Sequence, residues 1–302
     1  MNNLKIYENN CKEDVLNKVQ LEKKHTEYSL GKTLFATSDR GRKVYQDDSV
    51  IILEHPNDEN IKLIAVADGV GSSTDGNLAS NHVIKKLIEW FENIEEFDIY
   101  KIKTDLQAML KYVLKDLRAN IHAATTLSAA IVSENKTLIA NIGDSRIYTI
   151  RNNRLNQRTK DDSEGQNLLE KNVIPNKELA RFHKASNILL TAIAFYPEDY
   201  HIKYKIINND YEKLFLTTDG VTDCLSTKQM ENIIKSSKTG EITKNIVKNA
   251  IETDSYLEKI IKEQSEEDYE TFIELQEILE EDYNIVIKGG CDNTTTAVYV
   301  RK

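Results

Sequence analysis

The sequence predicts an α+β fold: two packed antiparallel sheets with amphipathic helices outside. Three observations carry that expectation. Short β-branched runs are grouped and joined by turn residues, rather than alternating strictly with helices. Two long segments gather their apolar residues on one helical stripe. Several strands end in an aspartate, as in "LIAVADGVGSSTDGNLAS" (63–80), where an apolar run stops at Asp68.

The elements follow in order. Residues 1–30 are polar and read as a short helix or a loose arm. From residue 34 the chain becomes regular. "SVIILEH" and "IKLIAVA" are β-branched strands. "NLASNHVIKKLIEWFENI" aligns Leu78, Val83, Ile84, Leu87, Ile88 and Phe91 on one helical face. "TDLQAMLKYVLKDLRANIHAA" does the same with Leu106, Leu110, Val113, Leu114, Leu117 and Ile121. "TTLSAAIVS", "KTLIANIG" and "SRIYTIRNNRLNQRT" are strands, with "SENK" and "RNNR" as hairpin turns. Residues 161–198 are less regular, with one helical piece at "NKELARFH". "YHIKYKIIN", "KLFLTTDG" and "NTTTAVYV" complete the strands. A helical region at 226–286 lies between the last two, and Ser226 with Gln229 forms a capping-box pattern. Residues 252–282 hold thirteen acidic side chains against two lysines, which reads first as a solvated helix face and second as a binding surface.

Composition narrows the function. The 302 residues can bury a sizeable core, with 40% hydrophobic and 29% charged residues. No apolar run approaches the ~18 residues of a membrane helix, and no signal peptide stands at the N-terminus. A net charge of −9 argues against nucleic acid as a partner. Cys11, Cys224 and Cys291 are odd in number and widely spaced, which fits a reducing cytoplasm. Cys224 and Cys291 flank acidic positions, and two inert buried thiols is their simplest reading.

The aspartates repeat at strand ends. "LIAVADG" ends at Asp68, "TLIANIGDS" at Asp144 and "KLFLTTDG" at Asp219; "GGCDN" sets Asp292 before the last strand, and "GRKVYQDDSV" sets Asp47 and Asp48 before the first. One such Asp is a turn former. Several brought to one edge would repel each other and resist desolvation unless divalent cations held them. An all-oxygen set suits Mg²⁺ or Mn²⁺ rather than zinc. The six histidines are scattered, and His82 and His122 read as structural. "GVGSS" and "GKT" lack the GxxxxGK[ST] spacing of a phosphate-binding loop.

The ordered string "GRKVYQDD … AVADGVGSSTDGNLAS … TTLSAAIV … ANIGDSRIYTIRNNRLNQRTKDDS … LFLTTDGVTD … GGCDNTTTAVYV" resembles the metal-dependent protein serine/threonine phosphatases of the protein phosphatase 2C type, in their bacterial form. The resemblance spans about 34–301. It implies an α-β-β-α sandwich over 34–302 behind an N-terminal extension (1–33), with a flap region at 161–200 and an acidic helical insertion at 252–286. It implies a two-metal centre of Mn²⁺ or Mg²⁺. Asp68 would bridge the ions, the Gly69 carbonyl would bind one, and Asp219 and Asp292 would hold the other. Asp47 and Asp48 would act through water. Asp144 with Asp219 would form a weaker third site, and Asp223 and Asn293 would stand just behind the ligands.

The implied reaction is in-line hydrolysis of a phosphomonoester by a metal-activated water, with no covalent intermediate. This matches the absence of a nucleophile–base pair in the sequence. The substrate would be a phosphorylated protein in the cytoplasm, supplied by an opposing Ser/Thr kinase, and the enzyme a monomer with no membrane or nucleic-acid partner. Three positions depart from the family. The phosphate-gripping Arg is replaced by Lys43, with Arg42 adjacent; spacing favours the first and guanidinium chemistry the second. Asp47 stands where Glu is common. Val70 stands where eukaryotic members carry a His. Two other uses of the fold remain open at this level: a pseudophosphatase acting as a binding module, and a phosphatase of small molecules.

Overall fold

The computed structural model describes residues 24–70, 76–120, 123–174, 188–193, 202–253 and 292–301. Twelve strands form two sheets, and every pairing is antiparallel. The first sheet contains β1 (His25–Leu30), β2 (Leu34–Asp39), β8 (Arg146–Arg151), β9 (Arg154–Gln157), β11 (Lys213–Thr217) and β12 (Thr294–Val300), in the order β1-β2-β12-β11-β8-β9. The second contains β3 (Asp48–His55), β4 (Asp58–Val70), β6 (Leu127–Val132), β7 (Lys136–Ile142) and β10 (Lys203–Asn208), in the order β10-β7-β6-β4-β3, with the short β5 (Ala124–Thr125) on the end of β4.

Period-two alternation explains the layers. On β4, Ile64 and Val66 face the other sheet, where they meet Leu34, Ile147, Leu216 and Ala297. Leu63, Ala65 and Ala67 of the same strand face the opposite way, onto Val83, Leu87 and Phe91 of α1 (Gly76–Glu92) and Leu106 and Leu110 of α2 (Ile99–Asn120). The first sheet behaves alike. Phe215 and Val298 turn outward onto α4 (Asp219–Thr222), α5 (Thr227–Ser236) and α6 (Ile242–Glu252), meeting Val221, Met230, Ile234 and Ile246. A helix α3 (Glu164–Glu170) lies after β9. The expected α-β-β-α sandwich is the observed architecture.

Local signals hold where turn or cap chemistry is specific. Asn152 and Asn153 take φ of 52° and 59° and close the β8–β9 hairpin, a left-handed pair that asparagine tolerates better than most residues. Ser226 and Gln229 make both bonds of the capping box at the start of α5.

Three expectations need correction. The sandwich starts at His25, not at residue 34: β1 pairs along its whole length with β2, and Tyr28 and Leu30 pack against the inter-sheet core. That removes residues 25–33 from the proposed extension; residues 1–23 lie outside the described residues. Leu78 is 44% exposed, because it sits in the first turn of α1, outside the buried face. Helix α2 begins at Ile99 rather than Thr104, and Thr125 belongs to β5. The "NKELARFH" segment, most of the 161–200 flap, Ile121, His122 and nearly all of the 252–286 insertion lie outside the described residues.

The contrast on α1 is testable in urea. Leu87→Ala, at a fully buried position, is expected to cost roughly 2–5 kcal/mol. Leu78→Ala should stay within about 0.5 kcal/mol of wild type. Equal losses would refute the assigned face.

Candidate metal centre

Strand register brings the acidic positions to one edge. Asp48 and Asp68 are directly opposed cross-strand partners at the end of the β3–β4 pair. The Gly69 N–H donates to the Asp47 carbonyl at 3.1 Å, and the Ser80 hydroxyl donates to that same oxygen at 2.6 Å. A Cβ on Gly69 would stand 2.2 Å from the Gly76 carbonyl oxygen, so only glycine admits this close approach to the start of α1. The Asp68 backbone is held by Thr126, whose N–H meets the Asp68 carbonyl at 2.8 Å and whose hydroxyl accepts the Asp68 N–H at 3.0 Å.

The other sheet supplies the facing groups. Strand β11 ends at Thr217, and Asp219 opens α4 immediately after it. The Thr218 hydroxyl donates to Asp48 Oδ2 at 2.9 Å, tying the two sheets together at the site. A Cβ on Gly220 would stand 2.0 Å from the Asn293 carbonyl oxygen, so α4 and the start of β12 touch backbone to backbone. Asn293 ties one loop at three points: its Oδ1 accepts the Asp47 N–H at 2.7 Å, and its Nδ2 donates to the carbonyls of Arg40 and Tyr45. Asp292 accepts from Lys43 Nζ at 3.1 Å. Asp144 lies buried in the β7–β8 turn, and the Asp223 N–H caps back onto the Asp219 carbonyl at 2.7 Å.

The electrostatics are those of crowded carboxylates. Burial, followed by the charges of Asp219, Asp48 and Asp292, pushes the Asp68 carboxyl well above its ordinary range. Asp48 is raised by burial and by Asp219 and Asp292, despite hydroxyl bonds from Thr295 and Thr218. Asp144 is raised by burial, Asp219, Asp161 and Asp223. Asp219 is pushed up to about 6 by burial and Asp292, although Asp68, the Gly220 N–H and Lys43 all favour its charged form. Asp47 is raised by its half burial. Burial pulls the Lys43 ammonium down, but Asp292, Asp68 and Asp219 outweigh it and leave the pKa raised.

Do these residues fit divalent cations? Among the described residues, no three acidic, histidine or cysteine side chains already surround one point as a finished ligand shell. The carboxylates instead line an edge, within one another's field. Buried oxygens Asp47 Oδ1, Asp48 Oδ1 and Asp219 Oδ1 have no hydrogen-bond partner. Unsatisfied buried carboxylate oxygens are costly, and hard cations are the chemistry that satisfies several of them together. The donor set is all oxygen, so the residues fit Mn²⁺ or Mg²⁺.

The family is settled by comparison. The protein phosphatase 2C family model matches residues 36–259. The chain belongs to the protein phosphatase 2C family. The serine/threonine phosphatase Stp of Listeria monocytogenes is 32% identical over 211 residues, 67% of this chain and 82% of that protein. Protein phosphatase PhpP of Streptococcus pneumoniae is 28% identical over 182 residues, 58% of this chain and 73% of its own. In fold, the chain is similar to the Stp1 phosphatase of Staphylococcus aureus, with a TM-score of 0.68 and 21% identity over 93% of this chain and 99% of that one. It is also similar to the catalytic domain of PstP in complex with two manganese ions, with a TM-score of 0.63 and 22% identity over 88% and 96%. The resemblance, the enzyme class and the expected sandwich are therefore borne out.

The sequence-expected positions Asp47, Asp48, Asp68, Gly69, Asp219, Asp292 and Asn293 meet at this edge, and Asp144 and Asp223 feel the same field. Arg42 does not join them: it is exposed, and no hydrogen bond or ion pair among the described residues links it to the centre. Thr218, Thr295 and Thr126 were given no role in advance. The sequence signal of Thr218 and Thr295 is a hydroxyl close to a strand-end aspartate, in "TTDG" and "NTTT"; Thr126, in "TTLS", stands beside no such aspartate.

A pH dependence follows. Asp219 has a folded pKa of about 6 against an ordinary 3.8, so the metal-free fold holds its proton more tightly than the unfolded chain does. Stability contributed by that proton is present at low pH and is lost as pH rises through about 6. The raised carboxyls of Asp68, Asp48 and Asp144 act in the same direction. The gap in Tm between Mn²⁺-loaded and EDTA-treated protein should therefore widen as pH rises. Melts on either side of about pH 6 check this, and a constant gap would refute it.

Proposed function

We propose that the centre hydrolyses phosphoserine and phosphothreonine in cytoplasmic proteins, with two ions of Mn²⁺ or Mg²⁺ and a third at a weaker site. The observation that supports this most is the set of partnerless buried oxygens on Asp47, Asp48 and Asp219, with the Lys43 ammonium in the field of Asp219. When bound, the cations supply an activated water and neutralise charge that gathers on the phosphoryl oxygens. Asp68 and the Gly69 carbonyl would be shared or bound at the first ion, Asp219 and Asp292 at the second, and Asp144 with Asp219 at the third. Asp47 and Asp48 would orient bound waters.

The chain's own residues do the positioning. Thr218 fixes one oxygen of Asp48, and the other is buried without a hydrogen-bond partner. Asn293 holds the Arg40–Asp47 loop, and with it Lys43, against the start of β12. Lys43 stays charged in the field of Asp292, Asp68 and Asp219, and its ammonium grips the substrate phosphate as a point charge. Lys43 takes this role rather than Arg42, because only Lys43 is tied to the centre.

The relatives named as a serine/threonine phosphatase and a protein phosphatase support a phosphoprotein substrate, and a Ser/Thr kinase is the class of enzyme that supplies it. Among the described residues no helix is long and apolar enough to cross a membrane.

Hydrolysis of para-nitrophenyl phosphate tests the reading. Activity should require Mn²⁺ or Mg²⁺, disappear in EDTA and disappear in Asp219→Ala. Metal-independent turnover would refute it. A phosphothreonine peptide should be cleaved with higher kcat/KM than a small phosphorylated metabolite; the reverse order would move the substrate class to small molecules. Lys43→Met should lower kcat/KM by about 10²-fold, whereas Arg42→Met should leave it near wild type.

A further inference from the structure

A chain of short contacts joins two of the carboxylates through a segment that the proposed chemistry does not use. The Asp68 carbonyl accepts from the Thr125 hydroxyl at 2.9 Å, and Thr125 exchanges both backbone hydrogen bonds with Ile193, at 3.1 and 2.8 Å. Three residues before Ile193, the Leu190 N–H donates to the Asp162 carbonyl at 2.7 Å. The Asp162 N–H donates to the Gly143 carbonyl at 3.0 Å, and Asp162 Oδ2 accepts the Gly143 N–H at 3.2 Å. Gly143 precedes Asp144. It closes the circuit, because a Cβ on it would stand 2.6 Å from Thr126 Cγ2, and Thr126 holds the Asp68 backbone.

Asp162 spends every polar group on this strap. Its N–H, its carbonyl and one carboxylate oxygen reach Gly143 and Leu190, and the other oxygen pairs with Lys203. Beneath it, Arg146 Nε donates at 2.9 Å to both oxygens of Asp161, and Nη2 donates to Asp161 Oδ2; both side chains are buried. A turn needs one such bond. Two adjacent carboxylates fully engaged by a buried guanidinium, an ammonium and a glycine N–H form a rigid mount. Asp161 also lies close enough for its charge to act on Asp144, so the pairing with Arg146 tempers that repulsion.

We infer that Asp162 is a positioning residue for the metal centre: the strap it ties holds the Gly143–Asp144 turn against the end of β4 and so sets the cation affinity that depends on Asp144. This rests on the reading of Asp144 as an ion ligand. Asp162 itself reaches neither ion nor substrate. A residue that orients a ligand in this way changes metal affinity by about 10- to 100-fold when removed.

Calorimetric Mn²⁺ titration of the full chain tests it, using wild type, Asp144→Asn, Asp162→Ala and Asp162→Asn, with metal-free melts alongside. Asp144→Asn is expected to remove one binding step. Asp162→Ala should weaken that same step about 10-fold or more and leave the others unchanged. Its metal-free Tm should stay within roughly 3 °C of wild type. Asp162→Asn should fall between, because its amide oxygen still accepts the Gly143 N–H. If Asp162→Ala leaves the Asp144-dependent step unchanged, or weakens all steps together with a large fall in Tm, the positioning role is overturned while Asp144 remains a ligand. If Asp144→Asn removes no step, the ligand assignment fails and the strap proposal falls with it.

Discussion

Like charges held at fixed spacing in a poorly solvated edge govern the rest of this structure. Burial is the first cause of the raised pKa at Asp48, Asp68, Asp144 and Asp219, and neighbouring carboxylates are the next. An exposed ion pair contributes about 1 kcal/mol or less, whereas an uncompensated buried charge costs several. Mobile carboxylates would swing apart to avoid that cost. These cannot, because Asp48 and Asp68 are opposed in a hydrogen-bonded ladder, Asp219 opens a helix packed backbone to backbone on Asn293, and Asp144 sits in a turn closed on Thr126. The strain is relieved only by adding positive charge. Lys43 supplies part of it, and divalent cations supply the remainder.

The apolar layers make that arrangement affordable. The clustered polar positions come from both sheets: Asp47, Asp48 and Asp68 from one, Asp219, Asp292 and Asn293 from the other. The side chains between the sheets, including Ile64, Leu216 and Ala297, therefore set how far apart the two groups stand. The outer clusters under α1 and α2, and under α4 to α6, stabilise the sandwich without lying on that line. Thr218 crosses the gap directly with its bond to Asp48, so the separation is fixed by a polar contact as well as by packing.

What could be read in the sequence follows the range of the forces involved. Alternation in "IKLIAVA" reports both faces of β4, since each side chain's direction is set by its neighbour along the chain. "RNNR" and the Ser226–Gln229 pair were legible for the same reason. Strand β1 was not: "HTEYSL" lies at a sheet edge with half its residues exposed, so it lacks an apolar run. Leu78 was grouped with the stripe, but nine residues before Leu87 it points to the opposite side of the helix, and its neighbour Ala79 takes the buried place in the first turn. The aspartates stood out as strand ends, but their hydroxyl partners did not. Thr218 and Asp48 are 170 residues apart and meet only through the register of two sheets. The Asp161–Asp162 mount was hidden in a segment without periodicity, where no local pattern predicts a contact with Gly143.

The choice of lysine at position 43 follows from the same field. A guanidinium would offer a bidentate fork to a phosphate, and Lys43 gives that up. In exchange, a compact ammonium on a flexible stem can pair with Asp292 and still stand in the field of Asp68 and Asp219. Under the proposed function, each positive charge brought to this edge would be shared between the carboxylates and an incoming phosphate. A single point charge would shift between Asp292 and phosphate by rotation of its stem, whereas a fork locked onto one carboxylate would have to break two bonds. Asn293 holds the loop that carries Lys43, because its three contacts are to backbone atoms of Arg40, Tyr45 and Asp47, and none of them is to the lysine side chain. The rigid backbone and the lysine stem are thus two halves of one arrangement: the sheets fix where negative charge must stand, and Lys43 brings compensating charge to it on a flexible stem.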